Sequence, residues 1–238
     1  MTSNRLKKSN AEKAFAIRSS WARDQLSYEF KNSKLLEQAL THRSVSKRNN
    51  ERLEFLGDAL LNFVVAQRLF EVKGFQSEGD MSRMRASLVK GETLAEIGRE
   101  LALEPHVIVG SGELRTGVAR RSSVLANTVE ALIGAILLDG GFEQAEKCVN
   151  QLMRDRLDRL PDASALKDPK TRLQEWLQAR GLRLPEYSVR STDGLPHKQT
   201  FTVQCEVNER KVEGTGTSRP NVEQDAAKSM LLSLTSDN

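Results

Sequence analysis

Apolar residues recur at helical spacing over the first two thirds of the chain. Between residues 18 and 160 this pattern predicts helices, and no segment there shows the alternation expected of a strand. One predicted helix begins near residue 50 and has Gly74 as its stop. The segment 81–103 continues at mostly helical spacing, and a strongly apolar helix is predicted over 122–138.

The last third of the chain has a different pattern. A short helix is predicted over 171–180, and a closing helix is expected to have Pro220 at its first position. Between them lie three runs that alternate apolar and polar residues, at 186–191, 199–207 and 210–215. Asn208 and Glu209 mark a tight turn between the last two runs. This α-β-β-β-α order predicts an independent domain of about 70 residues.

Together the two patterns predict an all-α N-terminal domain followed by a small α+β domain. The polar residues 1–17, which include Arg5, Lys7, Lys8 and Lys13, are predicted to be a disordered basic extension. The remaining boundaries are predicted at 18–160 for the first domain, 161–169 for a linker that holds a proline at each end, and 170–236 for the second domain.

Composition narrows the class of protein. The 238 residues carry a formal net charge of +4, which is compatible with a polyanionic partner without requiring one. No uninterrupted run reaches the length of about eighteen apolar residues that a membrane helix needs, and no signal peptide opens the chain. The two cysteines and three histidines stand far apart, so a disulfide framework, a zinc site or a histidine-based triad has little support. We therefore expect a soluble cytoplasmic protein with no small-molecule cofactor.

The candidate chemistry lies in the predicted helix near residue 50. At about 100° per residue, Glu51, Glu54 and Asp58 fall on one face, roughly opposite an apolar stripe that includes Leu60 and Phe63. Glu54 and Asp58 are like charges four residues apart, and no Lys or Arg lies three or four residues from either of them to offset the repulsion. A solvated acidic face is one interpretation. The uncompensated pair favours the other, a site for a hard divalent cation.

A second carboxylate comes from the apolar helix over 122–138. Glu130 is its one charged residue, and Asn127 precedes it by three residues on the same face. Burying an ionised Glu among apolar residues is costly unless it is paired or metal-bound, although a surface position on the helix edge is the alternative. The functional interpretation brings Asn127 and Glu130 against Glu54 and Asp58 around one ion.

Four motifs in order give the chain a family resemblance. They are ALTHRS at 39–44, NERLEFLGD at 50–58, EGDMSRMRA at 78–86 and TVEALIGA at 128–135. Together they resemble the signature of the ribonuclease III family. The second domain resembles that family's double-stranded-RNA-binding domain through KTRLQEWLQ at 170–178, GLPHKQTF at 194–201 and GTGTS at 214–218.

The resemblance implies a homodimeric endoribonuclease that hydrolyses double-stranded RNA with Mg²⁺, or with Mn²⁺ as a substitute. It implies 5′-phosphate and 3′-hydroxyl ends with short 3′ overhangs, and processing of ribosomal RNA precursors and other structured RNAs. Asp58 and Glu130 match the family's catalytic residues, and the implied metal ligands are Glu54, Asn127, Glu130 and Asp58. Glu51 and Glu78 match acidic residues of the cleft. The implied RNA-binding residues are Thr171, Gln174, Gln178, His197, Lys198, Ser218 and Arg219.

The chain departs from the family at two places. Asn127 stands where the family usually has Asp, which removes one negative charge from the proposed cation site. Pro220 and Asn221 stand where the family normally has two basic residues, so weaker phosphate binding is expected. The first departure keeps a second hypothesis open, a double-stranded-RNA-binding protein on the same fold with weakened or lost catalysis. A third hypothesis, a helical scaffold with no catalytic function, has the four ordered motifs against it.

Overall fold

The computed structural model describes residues 2–72, 76–160, 166–195 and 198–236. The chain forms two compact units, Met1–Pro161 and Asp162–Asn238. The first unit is helical and the second has a three-stranded sheet, so the predicted fold class is confirmed. His197, one of the predicted RNA-binding residues, and Gly74, the predicted helix stop, lie outside the described residues.

The first unit is built from helices α1 to α7. Their bounds are Thr2–Leu26, Ser33–Leu40, Glu51–Val72, Glu78–Val89, Gly91–Glu100, Ser122–Gly140 and Phe142–Asp158. Short 3₁₀ turns at Glu104–His106, Leu114–Thr116 and Val118–Arg120 connect α5 to α6. The one strand-like pairing in the described part of this unit is an isolated bridge between Thr41 and Ile108.

Helix α6 is the core helix of this unit. Leu132, Ile133 and Ile136 are completely buried, and α3 and α5 pack on it most extensively. By length and composition α6 could cross a membrane, although its sequence contains no uninterrupted run of about eighteen apolar residues. Most of its surface is covered by neighbouring helices, as expected for a core helix of a globular domain.

The prediction of a disordered extension over residues 1–17 is wrong, because α1 is helical from Thr2. Lys, Arg, Ala and Glu are good helix formers, so a polar composition alone does not prevent a helix. The C-terminal part of α1 is held by Trp21, whose indole Nε1–H donates to the carbonyl of Leu101 at 2.7 Å. The Trp21 ring also stacks on His106, with 4.6 Å between ring centroids.

The segment 81–103 is not one continuous helix. It is divided at Lys90, which has extended backbone angles (φ −62°, ψ 146°) between α4 and α5. The Thr93 hydroxyl donates to the carbonyl of Ser87 at 3.0 Å and so satisfies one of the carbonyls that the end of α4 leaves free. The apolar spacing continues on both sides of this break, and for that reason the sequence pattern does not show it.

Two glycines let α3 and α6 cross at very short distance. A Cβ atom on Gly57 would collide with the backbone carbonyl of Glu130, and one on Gly134 would collide with the backbone carbonyl of Leu53. Both collisions are with helix backbone, which cannot move aside as a flexible side chain can. The crossing therefore requires glycine on both helices.

The second unit is an antiparallel sheet covered by two helices. Its elements are α8 (Pro169–Gln178), β1 (Glu186–Asp193), β2 (Thr200–Val207), β3 (Arg210–Gly216) and α9 (Arg219–Ser236). The strand order is β1-β2-β3, with Cys205 of β2 paired to Tyr187 of β1 and to Val212 of β3. The buried core between sheet and helices includes Leu173, Leu177, Cys205, Val207, Ala226, Ala227 and Met230.

We predict that Gly57→Ala destabilises the first unit by about 1–3 kcal/mol, because overpacking a close contact forces the backbone to shift. The measurement is urea unfolding followed by Trp21 emission in a Trp176→Phe background. The control is Gly91→Ala, where an added Cβ meets nothing within 4 Å. An unchanged urea midpoint for Gly57→Ala would show that α3 and α6 can move apart without a loss of stability.

Candidate active site

The crossing of α3 and α6 brings together the carboxylates that the sequence places on different helices. Glu54 and Asp58 lie on α3 on either side of Gly57, and Gly57 faces the backbone of Glu130 on α6. The side chains of Glu54, Asp58 and Glu130 are close enough to influence one another's ionisation. The close approach of the two helices thus positions the acidic cluster.

Glu130 shows the strongest electrostatic effect in the cluster. Burial raises its pKa to about 7, and the negative charges of Asp58 and Glu54 add to the rise. Glu54, Asp58 and Glu130 form no ion pair within the described residues. A carboxylate with a raised pKa and no paired cation is typical of a functional site rather than of a solvated helix face.

Asn127 acts on Glu54. Burial raises the pKa of Glu54, and a hydrogen bond from the Asn127 side chain opposes that rise. An Asp at this position, when ionised, could not donate that hydrogen bond and would add a repelling charge. Asn127 therefore keeps Glu54 closer to its ordinary ionisation state when no cation is bound.

Asp58 has a partner that the sequence analysis missed. The Asn62 amide donates to Asp58 Oδ1 at 2.8 Å, one helical turn further along α3. The spacing of four residues could have indicated this contact, since side chains at i and i+4 are neighbours on a helix. Asn62 thus orients one carboxylate of the cluster.

A cleft of about 640 Å³ opens beside the cluster. Glu51, Glu54 and Asn127 lie on its acidic side, whereas His42, Arg43 and Arg121 come from loops around it. Arg43 forms an ion pair with Glu51 at 3.7 Å. None of the three loop residues was predicted as a site residue, because loops have no periodicity from which to infer their position. His42 and Arg43 do belong to the ALTHRS motif, which was the signal that could have indicated them.

Glu78 lies elsewhere on the first unit. It is exposed at the start of α4 and accepts a hydrogen bond from the Ser82 hydroxyl at 2.7 Å. It borders a groove of about 420 Å³ whose apolar side chains include Phe63, Phe70 and Met81. The expected place of Glu78 among the acidic residues of the cleft is therefore not observed within one chain.

The donor set of the cluster fits a hard divalent cation. Carboxylate and amide oxygens are the ligands that Mg²⁺ prefers, and burial together with the charges of Asp58 and Glu54 raises the pKa of Glu130. No three His, Cys, Asp or Glu side chains of the described residues lie close enough together to hold an ion. That Glu54, Asp58, Asn127 and Glu130 share one ion stays a prediction.

The predicted RNA-binding residues of the second unit lie on three segments. Thr171, Gln174 and Gln178 are on α8, Lys198 is in the β1–β2 connection, and Ser218 and Arg219 are at the start of α9. The Lys170 backbone N–H donates to Gln224 Oε1 at 3.0 Å, so the first turn of α8 adjoins the second turn of α9. The fold thus brings two of the three segments together.

Comparisons with known proteins agree with both units. Residues 32–157 match a family model described as Ribonuclease-III-like, and residues 169–234 match one described as Double-stranded RNA binding motif. Ribonuclease 3 of Nitrosococcus oceani is 51% identical over 218 residues, which cover 90% of this chain and 94% of that protein. Ribonuclease 3 of Vibrio cholerae is 51% identical over 213 residues, which cover 89% of this chain and 95% of the relative.

Solved structures of a nuclease domain are similar to the first unit. The nuclease domain of the Campylobacter jejuni ribonuclease III is 40% identical, with a TM-score of 0.56, over 60% of this chain and 97% of that domain. A second structure of the same domain is 42% identical, with a TM-score of 0.55, over 57% of this chain and 95% of that one. This second structure of the Campylobacter jejuni domain concerns structural flexibility in a region involved in dimer formation.

The raised pKa of Glu130 predicts a pH-dependent stability of the metal-free protein. A carboxyl whose folded pKa lies above its unfolded pKa stabilises the fold while protonated, and this stability is lost as the pH rises through the folded value. In excess chelator, Glu130→Gln should therefore exceed the parent in unfolding free energy by about 1–3 kcal/mol at pH 8. The difference should shrink as the pH falls below 7 towards 4.5.

Urea unfolding across this pH range measures the effect. Glu29→Gln, at an exposed glutamate away from the cluster, is the matched control and should show no such pH dependence. A parent and a Glu130→Gln variant with parallel pH profiles would show that Glu130 is an ordinary surface carboxylate.

Proposed function

The chain belongs to the ribonuclease III family and is a ribonuclease, and from this premise we propose that it cleaves double-stranded RNA with Mg²⁺ at the α3–α6 cluster. The observation that carries the proposal is the crossing of two helices that gathers Glu54, Asp58 and Glu130 and raises the pKa of Glu130 to about 7. The second unit, which matches a double-stranded-RNA-binding motif, supplies the substrate class.

Within this proposal Glu54, Asp58, Glu130 and Asn127 would hold the cation. When bound, Mg²⁺ supplies activation of a water molecule and neutralises negative charge on the scissile phosphate. Asn62 keeps the Asp58 carboxylate oriented, and the Asn127 amide opposes the rise that burial causes in the pKa of Glu54. The products would be 5′-phosphate and 3′-hydroxyl ends with short 3′ overhangs, and the cellular role would be cytoplasmic processing of ribosomal RNA precursors and other structured RNAs.

A homodimer is part of the proposal, and exposed aromatic side chains on α3 support it. Phe55, Phe63 and Phe70 are 80%, 56% and 73% exposed, although large apolar side chains on a domain surface usually pack against something. Aromatic residues are enriched at protein interfaces. Glu78 borders the groove that includes Phe63 and Phe70, so assembly through this surface would place Glu78 near the partner subunit rather than in its own cleft.

The second candidate function is an RNA-binding protein without catalysis, and Asn127 is the observation in its favour. Asn127 lacks the negative charge of the Asp that the family usually has there, which lowers the attraction of the cluster for a cation. The remaining carboxylates still supply most of that attraction. The following experiments distinguish the two functions.

The central test is incubation with a long RNA duplex, with and without Mg²⁺. We expect cleavage with Mg²⁺, no cleavage in excess chelator, and no cleavage of single-stranded RNA or duplex DNA. Glu130→Gln should lower the rate by about two to four orders of magnitude while duplex binding stays at the parent level. Glu29→Gln, which changes an exposed carboxylate elsewhere, should cut at the parent rate. Cleavage that persists in chelator would exclude the metal-dependent mechanism.

The role of Asn127 can be tested by restoring the charge. Asn127→Asp should lower the Mg²⁺ concentration for half-maximal cleavage by about tenfold, because a close charge pair at an effective dielectric near 20 gains a few kcal/mol before desolvation is subtracted. A Mg²⁺ titration on one duplex measures this midpoint. Gln144→Glu adds the same charge at an exposed position of α7 and should leave the midpoint unchanged. Equal midpoints for the parent and Asn127→Asp would show that position 127 is not a ligand.

The homodimer can be tested at Phe55. Phe55→Asp should shift the protein from dimer to monomer in sedimentation velocity, because a charge placed in an apolar interface loses its hydration without a partner. Leu138→Asp, at a residue that is 59% exposed near the end of α6, is the control and should remain dimeric. A parent protein that sediments as a monomer at micromolar concentration would contradict the assembly.

A further inference from the structure

The second unit has an apolar groove between α8 and α9. It has a volume of about 530 Å³. Its apolar lining consists of Pro169, Trp176 and Ala179 on α8 and Leu231, Leu232 and the Thr235 methyl group on α9. The Thr235 hydroxyl is satisfied internally, since it donates to the carbonyl of Leu231 at 2.9 Å. Leu232 is 58% exposed, so the groove faces solvent with apolar surface.

The groove is separate from the predicted RNA-binding face of α8. Thr171, Gln174 and Gln178 share one face of the helix, and the core residues Leu173 and Leu177 share another. The groove-lining residues of α8 lie on a third face, rotated by roughly 120° from the RNA-binding face at 100° per residue. An amphipathic helix in a small domain normally leaves its remaining face polar. Here that face presents Pro169, Trp176 and Ala179 beside the charged residues Arg172 and Glu175.

The charges at the edge of the groove are mostly basic. Glu175 is neutralised by Lys167, whose Nζ lies 2.6 Å from a carboxylate oxygen. Arg172 and Lys228 border the groove and form no ion pair in the described part of the chain. Their charges therefore remain available to acidic groups of an occupant. A duplex RNA backbone fits this surface poorly, because its phosphates would meet an apolar floor instead of hydrogen-bond donors.

We propose that this groove is a docking site for an acidic amphipathic helix of a protein partner. The segment of α8 along the groove rises about 15 Å, which corresponds to two or three turns of a helical ligand. Apolar side chains at i, i+3, i+4 and i+7 would enter between Trp176 and Leu232, as in other helix-in-groove complexes. Acidic side chains at its flanks would meet Arg172 and Lys228. This inference does not depend on the proposed cleavage reaction.

Trp176 reports on the groove in the full-length protein. It is half-buried, and Arg180 stacks on its ring at 4.0 Å without being part of the groove lining. The protein has two tryptophans, so biosynthetic 5-fluorotryptophan labelling gives two ¹⁹F resonances, and Trp176→Phe assigns the one from the groove. The probe is a synthetic amphipathic helix of about three turns with leucine on one face and glutamate on the other. A peptide with lysine in place of glutamate is its matched control.

We expect the acidic peptide to shift the Trp176 resonance saturably and the basic peptide to leave it in place. Leu232→Glu and Lys228→Glu should each weaken binding of the acidic peptide by about tenfold or more. Leu184→Glu, at an exposed leucine of the α8–β1 connection, should bind it as the parent does. The two resonances also show whether each variant is folded. Affinity for duplex RNA should be the same for the parent and Leu232→Glu.

Three outcomes would overturn the proposal. The first is the absence of a saturable shift with the acidic peptide, or an equal shift with the basic one. The second is a tenfold loss of duplex RNA affinity in Leu232→Glu, which would make this surface an RNA contact. The third is a Trp176 resonance that shifts with protein concentration in the absence of any peptide, which would make the occupant a second copy of the chain.

Discussion

The contact on which the candidate site depends is the backbone approach of α3 and α6 at Gly57 and Gly134. Each glycine leaves room for a carbonyl of the other helix, and neither carbonyl could be there if a Cβ were present. Glycine inside a helix costs roughly 1 kcal/mol relative to alanine. The two glycines therefore weaken each helix locally, and the close packing that they permit has to compensate. What the packing creates is a position where the carboxylates of two helices influence one another's ionisation.

The electrostatics of that volume oppose folding. Glu130 belongs to the most buried helix of the unit, and Asp58 and Glu54 on the facing helix make its ionisation still less favourable. A protein that needed only stability would place apolar residues there, since a buried charge without a partner is strongly destabilising. A conflict between local chemistry and global packing is typical of functional sites. Within the proposed function, a bound cation would relieve the repulsion among Glu54, Asp58 and Glu130.

Periodicity predicted the fold class, the helical nature of the first unit and the α-β-β-β-α order of the second, because these depend on which face of an element is apolar. Periodicity could not show which residues of an apolar stripe are covered by a neighbouring helix and which stay exposed. Phe63 belongs to the predicted apolar stripe of α3, yet it is 56% exposed, whereas Leu60 and Val64 on the same stripe are buried. The break at Lys90 was missed for a related reason, since the apolar spacing is maintained across it. His42 belongs to the ALTHRS motif, yet neither it nor Arg121 was predicted as a site residue, because their loops are positioned by tertiary contacts.

The predicted RNA-binding surface of the second unit contains an internal competition for its basic residues. One carboxylate, Glu223, accepts from Lys170 Nζ at 2.8 Å and from Arg219 Nε at 2.9 Å, and the hydrogen bond from Lys170 lowers the pKa of Glu223. A phosphate that approaches Arg219 has to compete with this ion pair, so only the difference between the two interactions contributes to binding. Lys198 forms no ion pair in the described part of the chain and has no such competitor.

The first turn of α9 increases the importance of that competition. Pro220 and Asn221 are exposed there and carry no charge that could replace the paired residues. Of the predicted RNA-binding residues, the basic side chain that α9 contributes is Arg219, and it is already paired with Glu223. Within the proposed function, Gln174 and Gln178 of α8, which are exposed and uncharged, would carry a larger share of the interaction through hydrogen bonds to the groove of the duplex. Binding that rests on such contacts depends less steeply on salt than binding through phosphates.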